Sequence, residues 1–172
     1  GQGPLRQVPE HRRPEHLMLR VFLMLGALLT LLGCDRTNEL RPGISTTAEI
    51  IDKLGRPTME WQEGADKVWE YPFTPEGTRN YMLTIGPDGI LKAMEQVLTP
   101  ENFAKVQPGM TQAQVRRLLG KPAAMQFFAL KQEEAWEWKE QTPFPGSDMR
   151  FDVYFSNTGI VTRTGRHEVP KA

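Results

Sequence analysis

Few side chains in this sequence have the types and spacing that chemistry requires. The chain has one cysteine, Cys34, and three histidines: His11 and His16 in the N-terminal segment and His167 near the C-terminus. It contains no H-x-x-x-H, C-x-x-C, P-loop or G-x-G-x-x-G pattern. The sequence therefore predicts no metal, nucleotide or cofactor site, and we expect His167 to be a solvated terminal residue.

Four glutamates, Glu133, Glu134, Glu137 and Glu140, form the densest group of carboxylates. Their spacing suits the solvent-facing side of a strand or turn better than a paired general acid and base. No serine or cysteine nucleophile motif accompanies His167. The sequence thus predicts a protein that is not an enzyme.

Cys34 lies at the end of an apolar run. Residues 21–32 carry no charge, and Arg20 supplies positive charge before them. The run is too short for a membrane-spanning helix, which takes about 20 residues. It is typical of the apolar core of a signal peptide, which runs about 7–15 residues, and we place that peptide at residues 18–33.

The motif Leu31-Leu32-Gly33-Cys34 resembles the lipobox of bacterial lipoproteins. The resemblance implies cleavage between Gly33 and Cys34, a diacylglycerol thioether on the Cys34 sulfur and acylation of the new amino group. Several acyl chains anchor a protein stably, whereas one chain binds only marginally. We therefore expect a covalent lipid anchor on Cys34 with residues 34–39 as its tether; the alternative is a buried helix with a chance cysteine at its end.

Two features flank this segment. In the enteric sorting system that such lipoproteins resemble, an aspartate at the position of Asp35 favours retention at the inner membrane. Residues 1–17 are rich in proline and charge, and Met18 would begin a compact signal peptide. We therefore expect residues 1–17 to be an upstream or non-native extension.

Composition and charge are those of an ordinary globular protein. The chain has 172 residues with 21 basic and 21 acidic side chains, and residues 34–172 keep 17 basic and 19 acidic ones. No run concentrates either sign, so the sequence does not predict a nucleic-acid partner.

An internal repeat organises the rest of the chain. Both copies carry a Pro-Gly pair, then Leu-Gly-x-Pro, a Trp-Glu-aromatic triplet, an alternating apolar run and a Gly-Ile pair. In the first copy these are Pro42-Gly43, Leu54-Gly55-x-Pro57, Trp69-Glu70-Tyr71, Tyr81–Ile85 and Gly89-Ile90; in the second, Pro108-Gly109, Leu119-Gly120-x-Pro122, Trp136-Glu137-Trp138, Phe151–Phe155 and Gly159-Ile160. We place repeat 1 at residues 40–98, repeat 2 at 99–164 and a C-terminal tail at 165–172.

Each copy has the pattern of a helix followed by strands. The patterns Thr46-x-x-Glu49 and Thr111-x-x-Gln114 predict capping boxes before helices with apolar faces (Ile50, Ile51 and Leu54; Val115, Leu118 and Leu119). Gly55 and Gly120 are expected to end these helices. Thr99-Pro100 predicts a further short helix. Period-two alternation and the turns Pro87-Asp88-Gly89 and Asn157-Thr158-Gly159 then predict antiparallel sheets with one face covered. The fold class is α+β: two tandem repeats, each a short helical segment on a three- to four-stranded antiparallel sheet, sharing a core or a continuous interface.

The aromatic and basic residues offer the candidates for binding a protein. Trp69 and Trp136 are expected to pack in the cores. Trp138 shares the phase of Trp136, so it becomes a contact candidate if the helix cannot cover both. Arg116 and Arg117 lie on the polar face of the repeat 2 helix as a solvated pair or a partner-binding pair.

The segment Leu98–Pro122, with its Pro-Gly-Met-Thr and Leu-Leu-Gly-x-Pro motifs, resembles the opening of the SmpA/OmlA domain. This is the domain of the outer-membrane β-barrel assembly factor BamE. The resemblance extends over most of residues 40–164 as two tandem units, an architecture similar to that of the β-lactamase inhibitor protein. It implies an envelope location at the outer membrane, whereas Asp35 favours the inner membrane.

These features favour a non-enzymatic, lipid-anchored, periplasm-facing protein. The resemblance implies that it binds another envelope protein, with the β-barrel assembly complex as a candidate partner. The alternative is an inhibitor or sensor of an envelope enzyme. Apart from the lipid on Cys34, no cofactor or metal is expected.

Overall fold

The computed structural model describes residues 36–73, 76–142 and 147–170. The chain divides into Gly1–Asp35 and a compact unit that begins at Arg36. The predicted signal peptide, Gly33, Cys34 and Asp35 lie outside the described residues, as does the N-terminal extension. In the described ranges, no helix is long and apolar enough to cross a membrane.

The unit contains two successive sets of helices and strands. The first set has a short 3-10 helix (Arg36–Glu39), α1 (Thr47–Leu54), β1 (Met59–Glu63), β2 (Asp66–Pro72), β3 (Asn80–Ile85) and β4 (Leu91–Gln96). The second has α2 (Pro100–Lys105), α3 (Gln112–Leu119), β5 (Ala124–Phe128), β6 (Glu133–Glu140), β7 (Ser147–Ser156) and β8 (Val161–Pro170). The predicted α+β class and the two tandem units are confirmed.

The strands form two antiparallel sheets in which sequence neighbours pair. The orders are β1-β2-β3-β4 (sheet 1) and β5-β6-β7-β8 (sheet 2). The repeat is visible in the pairing: Trp69 lies opposite Leu83, and Trp136 lies opposite Val153. Each sheet also has one register shift, at Thr84/Ile85 and at Tyr154/Phe155. The motifs of the sequence repeat therefore occupy equivalent places.

Threonine side chains are the N-caps of α1, α2 and α3. Thr46, Thr99 and Thr111 each accept a hydrogen bond from the backbone N–H three residues on, as an N-cap does. At α3 the side chain of Gln114 completes the capping box by accepting from the Thr111 N–H at 2.8 Å. The predicted helix starts are confirmed. At α1 the structure shows one hydrogen bond of the capping box, which the Thr46 hydroxyl accepts from the Glu49 N–H.

Each repeat buries one sheet face under its own helices. The core of repeat 1 consists of Leu40, Ile50, Trp69, Tyr71, Tyr81, Leu83, Ile85 and Leu91. The core of repeat 2 consists of Leu98, Phe103, Val106, Val115, Leu119, Trp136, Trp138, Phe151, Val153, Phe155 and Val161. One helix prediction was wrong, because α1 lies on its sheet through Ile50 and Leu54 and turns Ile51 outward, leaving it 39% exposed.

Sheet 1 is covered on its second face as well. Val68, Glu70 and Met82 alternate with the core residues of repeat 1, yet all three are buried. The expectation of one covered face therefore fails for sheet 1. The second face of sheet 2 carries charged residues such as Glu137, so the expectation holds there.

The segment predicted as a C-terminal tail is part of a strand in the structure. Strand β8 extends to Pro170 and pairs with β7 over its whole length. His167 lies within this strand opposite Arg150, and its Nδ1 is 2.7 Å from a carboxylate oxygen of Asp152. His167 therefore lies in a strand and not in a tail, whereas the prediction that it is solvated is confirmed, because its side chain is 48% exposed.

Candidate protein-interaction site

Arg116 joins repeat 2 to repeat 1. Its Nε and Nη2 donate to the two carboxylate oxygens of Glu70 at 3.1 and 3.2 Å. The backbone N–H of Lys121 donates to the same carboxylate at 3.2 Å. Glu70 is fully buried, and a buried carboxylate is tolerated only when charge and hydrogen bonds compensate for its lost hydration. Helix α3 therefore packs its Arg116 side against the second face of sheet 1.

Arg117 makes a parallel contact nearer to solvent. Its Nε and Nη2 donate to Glu63 at 2.5 and 3.0 Å, and its guanidinium carbon lies 5.8 Å from the centre of the Trp61 ring. The hydrogen bond from Arg117 holds the pKa of Glu63 below its usual value. Both candidate arginines thus have partners within the chain, where the sequence left a solvated or partner-binding pair open.

A buried asparagine fixes the end of α3. The Asn80 amide donates to the carbonyl oxygens of Leu119 and Lys121 at 2.8 and 3.0 Å. Between them, Gly120 has φ 75°, and a Cβ there would lie 2.8 Å from the Asn80 Nδ2. Only glycine meets both the conformational and the spatial demand. The predicted glycine cap is therefore also a contact between the repeats.

Trp138 is a core residue and not a surface contact. It is fully buried, and its indole N–H donates to the carbonyl oxygen of Gly120 at 3.1 Å. Trp138 is therefore not a contact residue, contrary to the expectation, because the repeat 2 helices cover both tryptophans of β6. Trp69 and Trp136, predicted as core, are buried.

Repeat 1 has an equivalent contact. The hydroxyl of Tyr71, at the place of Trp138, donates to the carbonyl oxygen of Gly55 at 2.9 Å. Burial raises the pKa of Tyr71 to about 12. In both repeats an aromatic side chain of the second strand thus donates a hydrogen bond to the glycine that follows the helix.

A cleft of about 640 Å³ lies where α2 and α3 meet sheet 1. Trp61, Val97, Met110 and Leu118 supply apolar walls, and Lys105 is among the polar residues beside them. Its lining suits an apolar side chain better than a charged group.

The glutamates of β6 are paired on both faces of sheet 2: Glu133 and Glu137 on the open face, Glu134 and Glu140 on the face of Trp136. Glu137 contacts Arg150 at 3.2 Å, and Glu133 pairs with Arg163. The bond from Arg163 holds the pKa of Glu133 below its usual value. Glu140 accepts from Arg166 at 2.9 Å and Glu134 from Gln112 at 2.6 Å. All four glutamates of β6 are therefore engaged in ion pairs or hydrogen bonds.

The described ranges hold no group of three His, Cys, Asp or Glu side chains placed to bind a metal ion. Apolar contact is concentrated at β5 and the tip of the β5–β6 hairpin.

Four large apolar side chains are exposed there: Met125 (59%), Phe127 (54%), Phe128 (41%) and Leu130 (fully). We call these residues the β5 edge. Sequence reasoning missed them, although residues 122–130 form an uncharged run that ends in Phe-Phe-Ala-Leu. An exposed apolar cluster on an edge strand is a typical surface for binding another protein.

The chain was compared with curated proteins, solved structures and family models. No curated protein matches significantly. A proposed β-lactamase inhibitor protein from Streptococcus mutans is 14% identical, with 72% of this chain and 82% of that chain covered at a TM-score of 0.33. A DUF4309 family protein, YjgB of Bacillus subtilis, is 11% identical, with 77% and 82% covered at a TM-score of 0.28.

The family comparison concerns repeat 2. Residues 95–165 match the family model described as the outer membrane protein assembly factor BamE domain. The resemblance that residues 98–122 carry in the sequence is thereby confirmed for a segment that runs from the end of β4 into β8.

Proposed function

We propose that this chain is a lipid-anchored protein of the bacterial cell envelope that binds another envelope protein and catalyses no reaction. The observation that carries the proposal is the match of residues 95–165 to the BamE assembly-factor domain. The described surface supports it, because its main exposed feature is the apolar β5 edge. Proteins that build the outer membrane are the partner class that the family description favours.

The anchor is proposed from the sequence. The apolar run before Leu-Leu-Gly-Cys34 matches a lipoprotein signal peptide, and Cys34 is the single cysteine of the chain. Acyl chains on Cys34 would hold the two repeats beside a membrane through Asp35 alone, because Arg36–Glu39, predicted as part of the tether, forms a 3-10 helix in which Thr37 is buried. The family description favours the outer membrane, whereas Asp35 favours the inner one.

Metabolic labelling tests the anchor. Cells that express the full chain are grown with radiolabelled palmitate, and the immunoprecipitated protein is compared with Cys34→Ala. Label on the unsubstituted chain and its loss in Cys34→Ala are expected; equal label in both would refute the anchor. Sucrose-gradient separation of the membranes, repeated with Asp35→Ser, shows which membrane holds the protein and whether Asp35 decides it.

Cross-linking and affinity purification from detergent-solubilised membranes test the binding function. Recovery of β-barrel assembly components is expected. Cys34→Ala, expressed with a cleavable secretion signal, controls for partners that are captured only because they share the membrane. Recovery of a hydrolase whose activity falls on binding would instead support an inhibitor and overturn the assembly role.

A further inference from the structure

The tandem repeat provides an internal comparison for the exposed β5 edge. Strand β1 of repeat 1 occupies the place of β5: Glu60 lies opposite Trp69 as Met125 lies opposite Trp136. By the same register, Glu63 corresponds to Phe128 and Gln62 to Phe127. Repeat 1 thus has polar residues at three positions where repeat 2 has large apolar ones.

The glutamates of β1 have roles that β5 lacks. Glu60 accepts the indole N–H of Trp69 at 2.5 Å, and Glu63 pairs with Arg117. Charged side chains also protect edge strands against pairing with other chains. The glutamates of β1 therefore make contacts within the chain and also protect this edge of sheet 1 against pairing with another strand.

Of the four edge strands in the two described sheets, β5 alone carries no charged residue. Lys92 and Glu95 lie on β4, and Arg163, Arg166 and Glu168 lie on β8. Strand β5 reads Ala-Met-Gln-Phe-Phe, and all five residues are exposed. In a two-stranded contact, alternate N–H and C=O groups point away from the paired neighbour, so β5 presents main-chain donors and acceptors beside its apolar side chains.

We propose that β5 binds an extended segment of a partner protein by adding it as a fifth strand to sheet 2. The proposal rests on the protein-binding function above and names the partner's chemistry: about five uncharged residues with apolar side chains at alternate positions. Met125 and Phe127 lie on the sheet face of Trp136, and Phe128 lies on the other face. The incoming apolar side chains pack beside Met125 and Phe127, while main-chain hydrogen bonds supply the rest of the affinity.

Two other occupants fit less well. A second copy paired through β5 alone would bury only five residues from each side, well below the roughly 1,200 Å² of a stable interface. A lipid surface prefers apolar residues on one plane with basic residues behind them. Here the apolar residues lie on both faces of the strand, and the single basic residue of the turn between β5 and β6, Lys131, is followed after Gln132 by Glu133 and Glu134.

Peptide binding tests the proposal. The probe is a fluorescein-labelled peptide with a central Val-Thr-Val-Thr-Val, measured by anisotropy with the full lipidated chain in mild detergent. A second probe has the same side chains but N-methyl groups on alternate amides, which removes one row of donors. Saturable binding of the first probe, and binding of the second at least about tenfold weaker, are expected.

The variant Met125→Glu/Phe128→Glu restores the charges that repeat 1 carries at these places. It should weaken binding of the first probe about tenfold, whereas the control Ile44→Glu, at a position that is 65% exposed in repeat 1, should leave it unchanged. Should the double variant lose its native near-UV circular dichroism, Phe127→Lys, more than half exposed, replaces it. A peptide labelled with ¹³C at its carbonyls should also show an infrared shift to strand frequencies on binding.

Several outcomes would overturn the inference. Equal binding of the N-methylated probe would exclude binding through main-chain hydrogen bonds to β5. Dimerisation of the full chain that Phe127→Lys abolishes would assign β5 to a second copy. Sedimentation with phosphatidylcholine–phosphatidylglycerol vesicles that Leu130→Glu abolishes, without peptide binding, would assign it to a lipid surface. None of these results bears on palmitate labelling or partner recovery, so the proposed function stands or falls separately.

Discussion

Trp138 and Gly120 are joined by a buried hydrogen bond, with the indole nitrogen 3.1 Å from the carbonyl oxygen. Tyr71 and Gly55 make the equivalent contact in repeat 1. The bond fastens the second strand of each sheet to the residue that ends the helix. It explains why an aromatic residue with a donor occupies the third place of both Trp-Glu-aromatic triplets.

Replacing Trp138 by Phe should destabilise the protein by about 2–4 kcal/mol. The change leaves the Gly120 carbonyl without this donor and leaves space where the larger ring packed. Urea unfolding followed by circular dichroism measures the difference. Phe128→Leu, on the exposed edge, serves as the control and should change stability by less than about 0.5 kcal/mol; equal effects of the two variants would contradict the core role of Trp138.

Tyr71 should make the protein lose stability in alkali. Its folded pKa of about 12 lies above the unfolded value of about 10. Its contribution is therefore complete below about pH 10 and disappears as the pH rises toward 12. Urea midpoints at pH 9 and pH 11 for the wild type and Tyr71→Phe measure it. The wild type should lose more stability than the variant; the same loss in both would assign the effect to other groups.

The Glu70–Arg116 pair should be strongly coupled. Arg116→Met leaves a buried carboxylate without its counter-charge and should cost about 3–5 kcal/mol. The double variant Glu70→Leu/Arg116→Met should be more stable than Arg116→Met alone, because it removes that carboxylate. Chemical denaturation of all four members of the cycle gives the coupling free energy. The adjacent Arg117→Met, which breaks the more exposed pair with Glu63, should cost only about 0–1 kcal/mol.

Gly55 and Gly120 form a matched pair for separating strain from steric contact. Both have positive φ, 80° and 75°, but a Cβ meets nothing within 4 Å at Gly55 and the Asn80 amide at 2.8 Å at Gly120. Gly55→Ala should therefore cost about 1–2 kcal/mol from backbone strain alone. Gly120→Ala should cost more, since Asn80 must also move. Thermal unfolding of both variants compares them, and equal losses would show that Asn80 gives way without penalty.

Features encoded locally were predictable from the sequence. Thr111 and Gln114 lie three residues apart, so their capping box is visible in the chain. Positive φ at Gly89 and Gly159 follows from the turn pattern in the same way. Local rules, together with the repeat of motifs, gave the α-helices and the strands that carry the repeated motifs, but not β1, β5 or the 3-10 helix.

Contacts between the repeats were not predictable in this way. Asn80 and Leu119 are 39 residues apart, and Glu70 and Arg116 are 46 apart. Nothing in the local pattern of Glu70 distinguishes it from Glu137, which occupies the same motif but faces solvent more and pairs with Arg150. Glu70 is buried and Glu137 is not because α3 packs on sheet 1. The same packing gives Arg116 and Arg117 their partners Glu70 and Glu63.

The β5 edge was missed for another reason. Period-two alternation identifies apolar residues that face a core. The same rule would assign the apolar segment that contains Met125, Phe127 and Phe128 to the interior. An edge position becomes visible only when the strand order is known. Comparison of β1 with β5 in the aligned repeats could have shown the missing glutamates.

The ion pairs on the open face of sheet 2 distinguish it from the second face of sheet 1. In repeat 1 the corresponding face accepts the helix of the next unit through Glu70, whereas Glu137 is already occupied by Arg150. Terminal units of repeat proteins characteristically carry a polar outer surface that ends the stacking. Sheet 2 has a surface of this kind at Glu137, so the arginine contact that joins repeat 2 to repeat 1 could be repeated there only by breaking the pair with Arg150.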